Sequence, residues 1–207
     1  KQIAAVLGTS LDTLIGNEAI AAKTPKSRSK SGVTFVFFDV NGCLVRFFHR
    51  AFTKLAEETG IQPDVIETAF WHYNDAVCTG QMSVKEFNVA FAKQLKVSSV
   101  DWGQYYLDAI DPIAEMHELV RWAAGKYDIG LLTNIMPGFI DILLKHGFIP
   151  DVKYAAIIDS SKVGAIKPDS KIYELAQEAA QRPPQEILLV DDSRSNLIPA
   201  ERAGWHV

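Results

Sequence analysis

The chain is poor in cysteine: Cys43 and Cys78 are the only two in 207 residues. Two thiols do not make a disulfide framework. No apolar run approaches the roughly 18 residues of a membrane span, and no stretch has the pattern of a signal peptide. Neither a membrane partner nor secretion is therefore expected. The five histidines show no metal-ligand spacing, which leaves zinc unsupported. The formal charge is only -4. What remains is a chain that is 48% hydrophobic. That is enough for one core domain with a small appendage. The composition reads as a cytoplasmic enzyme.

Against that background, residues 33–43 stand out. An apolar run over 33–38 ends in Asp39-Val40-Asn41-Gly42-Cys43. Parallel strands buried on both faces read as continuous apolar runs. Ligands of open α/β sheets bind beyond the carboxyl ends of such strands. Asp39 thus stands where a nucleophile or a metal ligand would stand. Three later segments repeat the pattern. Residues 129–132 end in Thr133-Asn134. Residues 154–158 lead through Asp159 and Ser160 to Lys167-Pro168-Asp169. Residues 187–190 end in Asp191-Asp192-Ser193. Helix-like stretches lie between them, which predicts βαβ units and a parallel sheet. An acid, a hydroxyl, a lysine and a pair of acids at strand ends suit phosphate and a metal.

The four motifs, FVFFDVNG, LLTN, IKPD and LLVDD, resemble in order and spacing those of the haloacid dehalogenase superfamily. The resemblance runs over 33–207. It implies an α/β, Rossmann-like core with a parallel sheet and a small inserted α-helical cap. It implies Asp39 as the nucleophile that takes a phosphoryl group and Thr133 as the hydroxyl that holds a phosphate oxygen, with Asn134 beside it in the substrate site. Lys167 would neutralise nucleophile and phosphate. Asp192, with Asp191 beside it, would hold Mg²⁺ together with Asp39 and the backbone carbonyl of Asn41.

The chemistry calls for these residue types. Phosphoryl transfer depends on positioning and electrostatics. A carboxylate nucleophile splits hydrolysis into formation and breakdown of an aspartyl-phosphate. Mg²⁺ and a lysine offset the repulsion between carboxylate and phosphate, and Mg²⁺ prefers a few oxygen ligands plus water. Asn41 departs from the family, whose phosphatases mostly carry Asp there as general acid and base. An amide carries no proton, and general acid–base catalysis is worth about 10² to 10⁴-fold. A weakened phosphatase is the expectation. Cys43, four residues after Asp39, reads as a small packing residue.

Residues 48–111 turn helical. Phe52 and Leu55 share a face, Gly60 is a stop, and Ser83-Val84-Lys85-Glu86 is a capping box. Val84, Phe87, Phe91 and Leu95 come next at helical spacing. The run Thr79-Gly80-Gln81-Met82-Ser83 resembles the cap of glucose-1-phosphatase-like enzymes and of the phosphatase half of soluble epoxide hydrolase. Of the aromatics Phe70, Trp71, Tyr73, Trp102, Tyr105 and Tyr106, most are expected in the core and one or two at the substrate.

The amino-terminal stretch KQIAAVLGTSLDTLIGNE has an apolar stripe of Ile3, Val6 and Leu7, a stop at Gly8 and a cap at Ser10. It resembles the last helices of a lambda-repressor-like helix-turn-helix domain. Residues 1–20 then read as the end of such a domain whose base-reading helix lies upstream, which adds DNA as a partner. Residues 21–32, with Lys23, Lys26, Arg28 and Lys30, read as a basic, solvated linker. At the other end, residues 205–207 read as the start of a further strand.

These readings leave three functional classes. The first is a Mg²⁺-dependent phosphatase for a small phosphorylated metabolite. The second is a non-catalytic sensor of a phosphorylated ligand in a DNA-binding regulator, which Asn41 and residues 1–20 favour. The third is a 2-haloacid dehalogenase, against which the paired Asp191-Asp192 speaks. The substrate and the oligomeric state stay open.

Overall fold

Four short strands carry the molecule: β1 (Phe35–Phe38), β2 (Asp128–Thr133), β3 (Ala156–Asp159) and β4 (Ile187–Val190). The computed structural model describes residues 26–207. The helix-turn-helix resemblance of 1–20 and the first half of the basic stretch lie outside the described residues. All strand pairs are parallel, in the order β3-β2-β1-β4. Phe35 pairs with Asp128 on one side and with Ile187 on the other. Gly130 pairs with Ala156. After β4, Leu189 N–H donates to His206 O at 2.9 Å and His206 N–H to Ile187 O at 2.9 Å. The final residues thus begin pairing as a further parallel strand, as their sequence suggests.

Alternation along a strand sends neighbours to opposite faces, and here it feeds two cores. Phe35 and Phe37 point to one face with Leu132, Ile158, Ile172, Tyr173, Leu189 and Trp205. Val36 and Phe38 point to the other with Ile129 and Leu131, and this second core runs on into the helices after β1.

Those helices are α1 (His49–Thr59), α2 (Pro63–Cys78), α3 (Val84–Leu95) and α4 (Trp102–Ala109). Gly60, at φ 73°, ends α1. Pro63 opens α2, where its missing N–H would be unpaired anyway. The capping box at α3 forms as the sequence predicts. Glu86 N–H donates to Ser83 Oγ at 3.2 Å and Ser83 N–H to Glu86 Oε2 at 2.9 Å. The layer is held by rings: Phe70 and Trp102 centroids lie 4.5 Å apart and Phe52 and Trp102 5.4 Å apart. Such pairs add about 0.5–1.5 kcal/mol each beyond burial. The chain returns through a two-strand crossing. Arg46 N–H donates to Asp111 O at 2.8 Å and Ile113 N–H to Leu44 O at 2.9 Å.

The remaining helices flank the sheet: α5 (Ala114–Ala124), α6 (Phe139–Lys145), α7 (Ser160–Val163), α8 (Ser170–Ala180) and α9 (Arg194–Arg202). Among the described residues no helix is long and apolar enough to cross a membrane. Residues 26–32 are mostly exposed, yet they are tied to the fold. Lys26 Nζ donates to Ala124 O at 2.5 Å and Tyr127 O at 3.0 Å, and Arg28 pairs with Glu186 at 3.1 Å. Two of the four cations of that stretch are therefore committed to the protein's own surface.

Candidate active site at the strand ends

The carboxyl ends of β1, β2 and β4, with the loop before α8, bring the predicted residues together. Asp39 directly succeeds β1, and its N–H donates to Val190 O at 2.9 Å, which ties its backbone to the neighbouring strand. Lys167 arrives from the loop after α7. Its ammonium lies 3.0 Å from Asp39 Oδ1 and 2.5 Å from Asp191 Oδ2, with the side chain 1% exposed. Asp191 is held from behind. Ser193 N–H donates to its Oδ1 at 2.8 Å, and Asn196 Nδ2 reaches both oxygens at 3.0 and 3.2 Å. Asp192 is exposed and turns to the cavity. The two adjacent acids therefore play different parts: Asp191 is tied to lysine, amide and backbone, while Asp192 faces the opening.

Carboxylate oxygens of Asp39, Asp191 and Asp192 lie within 4.8 Å of one another. Three acids thus face one ammonium. Burial pushes the Asp39 carboxyl above its ordinary range; Lys167 pulls it down and Asp191 pushes it up further. Burial and then the Asp191 charge push Asp192 up as well. For Lys167, burial disfavours the charged form, but the charges and hydrogen bonds of Asp39 and Asp191 outweigh it and hold the lysine above its ordinary value. A hard cation would relieve this crowding, and an all-oxygen donor set suits Mg²⁺. Gly42 makes the approach feasible. A Cβ there would sit 2.2 Å from Asp192 Oδ2, and its φ of +84° is one that glycine adopts most readily.

Thr133 and Asn134 close β2. Thr133 is wholly buried, and its Oγ1 has no partner. It does not line the cavity, whereas Asn134 does. Yet the Asn134 amide is engaged elsewhere. Its Oδ1 accepts from Lys167 N–H at 2.7 Å and its Nδ2 donates to Lys167 O at 2.8 Å. Asn134 therefore acts by clamping the backbone that presents Lys167, a role the sequence did not disclose. Asn41 lines the cavity, and its Oδ1 accepts from Tyr106 Oη at 2.7 Å. Burial, reinforced by the Asp39 charge, pushes the Tyr106 phenol far up, so it stays protonated. Cys43 is buried, and burial with the Asp39 charge pushes its thiol to about 12. That suits a packing residue and not a thiolate nucleophile.

Proline suits the first position of a helix, yet Pro168 is not the first residue of α8. Asp169 is the cap, with its carboxylate accepting from Lys171 N–H at 3.0 Å, and the helix starts at Ser170. The amino end of α8 is thus capped by its own aspartate. The aromatics contribute more than one or two rings. Phe70, Trp71, Trp102 and Tyr106 all line the cavity, a space of about 400 Å³, and Phe47, Phe48 and Phe139 join them. Core and pocket overlap here because one side of a ring packs inward while its edge meets the opening. The density of aromatics was legible in the sequence, but which edges remain open depends on how the layers stack.

The fold and the strand-end site together define a class: a parallel α/β core with acidic groups and a buried lysine at its strand ends, beneath a helical layer. The family profile of haloacid dehalogenase-like hydrolases matches residues 33–204. The chain belongs to that family. Among solved structures, a haloacid dehalogenase-family enzyme from Bacteroides thetaiotaomicron in complex with magnesium is similar, with a TM-score of 0.71 and 18% identity; 84% of this chain and 91% of that one are covered. A predicted haloacid dehalogenase-like hydrolase from Porphyromonas gingivalis matches with a TM-score of 0.64 and 20% identity, over 84% and 89%. The L-2-haloacid dehalogenase from Xanthobacter autotrophicus, solved with chloropropionic acid covalently bound, matches with a TM-score of 0.62 and 17% identity, over 84% and 75%. At these identities the likeness shows the fold. No curated protein matches the chain.

Proposed function

We propose that the chain is a phosphatase that hydrolyses a small phosphorylated metabolite through an aspartyl-phosphate on Asp39. The observation that carries this reading is the buried Lys167 ammonium between Asp39 and Asp191, with Asp192 open to an aromatic cavity. An uncompensated carboxylate would repel a phosphate dianion, and a fixed lysine at 3.0 Å lowers that repulsion. Asp39, Asp192 and the Asn41 carbonyl would hold Mg²⁺, with Asp191 behind them; bound there, the ion would offset charge on the phosphoryl oxygens. The unpartnered Thr133 hydroxyl is the donor we assign to a phosphate oxygen, since a buried hydroxyl left unpaired costs about 1–3 kcal/mol. Asn134 positions Lys167. The test is phosphate release from a panel of phosphate esters with and without Mg²⁺. Release that stops on chelation supports the reading, and no release from any ester defeats it.

A second reading rests on Asn41. An amide supplies no proton, and a departing halide needs none, so a 2-haloacid dehalogenase also fits the apolar cavity. Halide release from 2-haloalkanoic acids without added metal would establish it. A third reading, a regulator that senses a phosphorylated ligand without turning it over, is favoured by the same amide. It predicts saturable ester binding with no product, and in a longer protein carrying the helix-turn-helix domain, selection of a DNA sequence.

A further inference from the structure

We infer that Tyr106 is a positioning residue that fixes Asn41 as a hydrogen-bond donor unable to give up its proton, and that the site favours phosphates whose apolar leaving group departs without one: acyl phosphates and phosphates of acidic phenols. This rests on the phosphatase reading of the site.

Three observations carry it. First, Asn41 stands two residues from Asp39 and lines the cavity, so its amide faces whatever Asp39 attacks. Second, the amide is oriented. Tyr106 donates its only proton to Asn41 Oδ1 at 2.7 Å, which leaves Nδ2 as the amide's open face. Tyr106 is itself 1% exposed, so it cannot swing away to donate elsewhere without leaving its core position. The position next to the reacting atoms therefore offers N–H groups that stabilise charge on oxygen but cannot transfer a proton to it. Third, the space beside Asn41 is walled by Phe47, Phe48, Phe70, Trp71, Trp102 and Phe139. Rings of this kind stack on planar apolar groups, although Asn74, Ser193 and Asn196 also line the cavity.

The chemistry then selects its substrate. Asp39 Oδ attacks phosphorus, a P–O bond forms, and the P–O bond to the leaving group breaks with its electron pair going to the leaving oxygen. A carboxylate or an acidic phenolate departs as such. An alkoxide would need a proton that neither Asn41 nor Tyr106 delivers. In the second step water attacks phosphorus, the pair returns to the Asp39 carboxylate, and both water protons leave on the inorganic phosphate. Of the other side chains that line the cavity, His49 carries an imidazole and is exposed.

The experiment is kcat/KM, which reports formation of the aspartyl-phosphate, across phenyl, para-nitrophenyl and dinitrophenyl phosphate, benzoyl phosphate, and glycerol and glucose phosphates. The expected result is a steep rise with leaving-group acidity, with the alkyl esters slowest. Asn41→Asp should raise the alkyl esters by about 10² to 10⁴-fold relative to dinitrophenyl and benzoyl phosphate, flattening the series. Tyr106→Phe should lower kcat/KM for the aryl esters by about 2- to 12-fold while the inhibition constant of inorganic phosphate stays put. A general loosening of the cavity would weaken both. A shallow series in the unmodified protein overturns the inference, and a series that becomes steep only in His49→Gln assigns the proton to His49 instead. No turnover of any compound, benzoyl phosphate included, overturns the phosphatase reading itself and the inference with it.

Discussion

The strand ends and the helical layer meet at one cavity but bring opposite chemistries to it. From the sheet side come Asp39, Asn41, Asn134 and Lys167, held by short polar contacts, and Asp192, which faces the opening. From the helical layer come Phe70, Trp71, Trp102 and Tyr106, held by rings packed on rings. A charged cluster needs fixed distances, and parallel strands supply them because their ends are pinned to their neighbours. An apolar wall needs area, and aromatic side chains on helices supply it at low conformational cost. In the proposed phosphatase, the difference would give reactivity to one layer and selection to the other.

The largest expected effect falls on the sheet side. Asp39→Asn removes the proposed nucleophile and should lower kcat by several orders of magnitude with any ester, measured as phosphate release. If turnover persists, the division of labour is misplaced.

Next come two changes of similar size and different character. Lys167→Met leaves Asp39 and Asp191 without their shared cation, and breaking a buried pair costs about 3–5 kcal/mol. Trp102→Ala empties the centre of the aromatic layer, also about 3–5 kcal/mol. Urea unfolding measures both. The lysine variant should be less destabilised at low pH. Asp39 is already held above its ordinary range by burial, and without Lys167 it rises further. The folded state then binds protons more tightly than the unfolded one, so stability is present at low pH and lost as pH rises through the folded value. The tryptophan variant should show no such slope.

Mg²⁺ should raise the melting temperature, by an amount equivalent to about 2.7 kcal/mol at a hundredfold excess over its Kd. Because burial and neighbouring charge hold Asp39 and Asp192 above the ordinary carboxylate range, protons compete with the cation. The rise should therefore grow with pH, as thermal denaturation at several pH values would reveal. The smallest effect belongs to the rim. Trp71 is 43% exposed, so Trp71→Ala should change stability by no more than about 0.5 kcal/mol while raising KM for aryl phosphates. A loss of kcat instead would put the helical layer into the chemistry.

The polar strand ends were readable in the sequence because a strand buried on both faces cannot hide its apolar run, and the polar residues that close the run must face the ligand side. Asp39 and Lys167 met as that logic requires. The contacts that escaped it are made by side chains reaching across the fold. The Asn134 clamp on Lys167 spans 33 residues, and the Tyr106 bond to Asn41 spans 65. Asn196, which supports Asp191, is five residues away but only once α9 has turned it back. Pro168 suits both the first helical residue and the position before a cap, and Asp169 is the cap that forms.

Gly80 occupies the turn between α2 and α3, where a Cβ would stand 2.3 Å from Ser161 O. Seen mechanically, the helical layer is a door. Its hinge is the pair of backbone hydrogen bonds joining residues 44–46 to 111–113, and its latch is this bare glycine resting on α7. A methyl group at position 80 would collide with that carbonyl and push the helical layer off α7, reshaping the cavity although no residue at the strand ends had been altered.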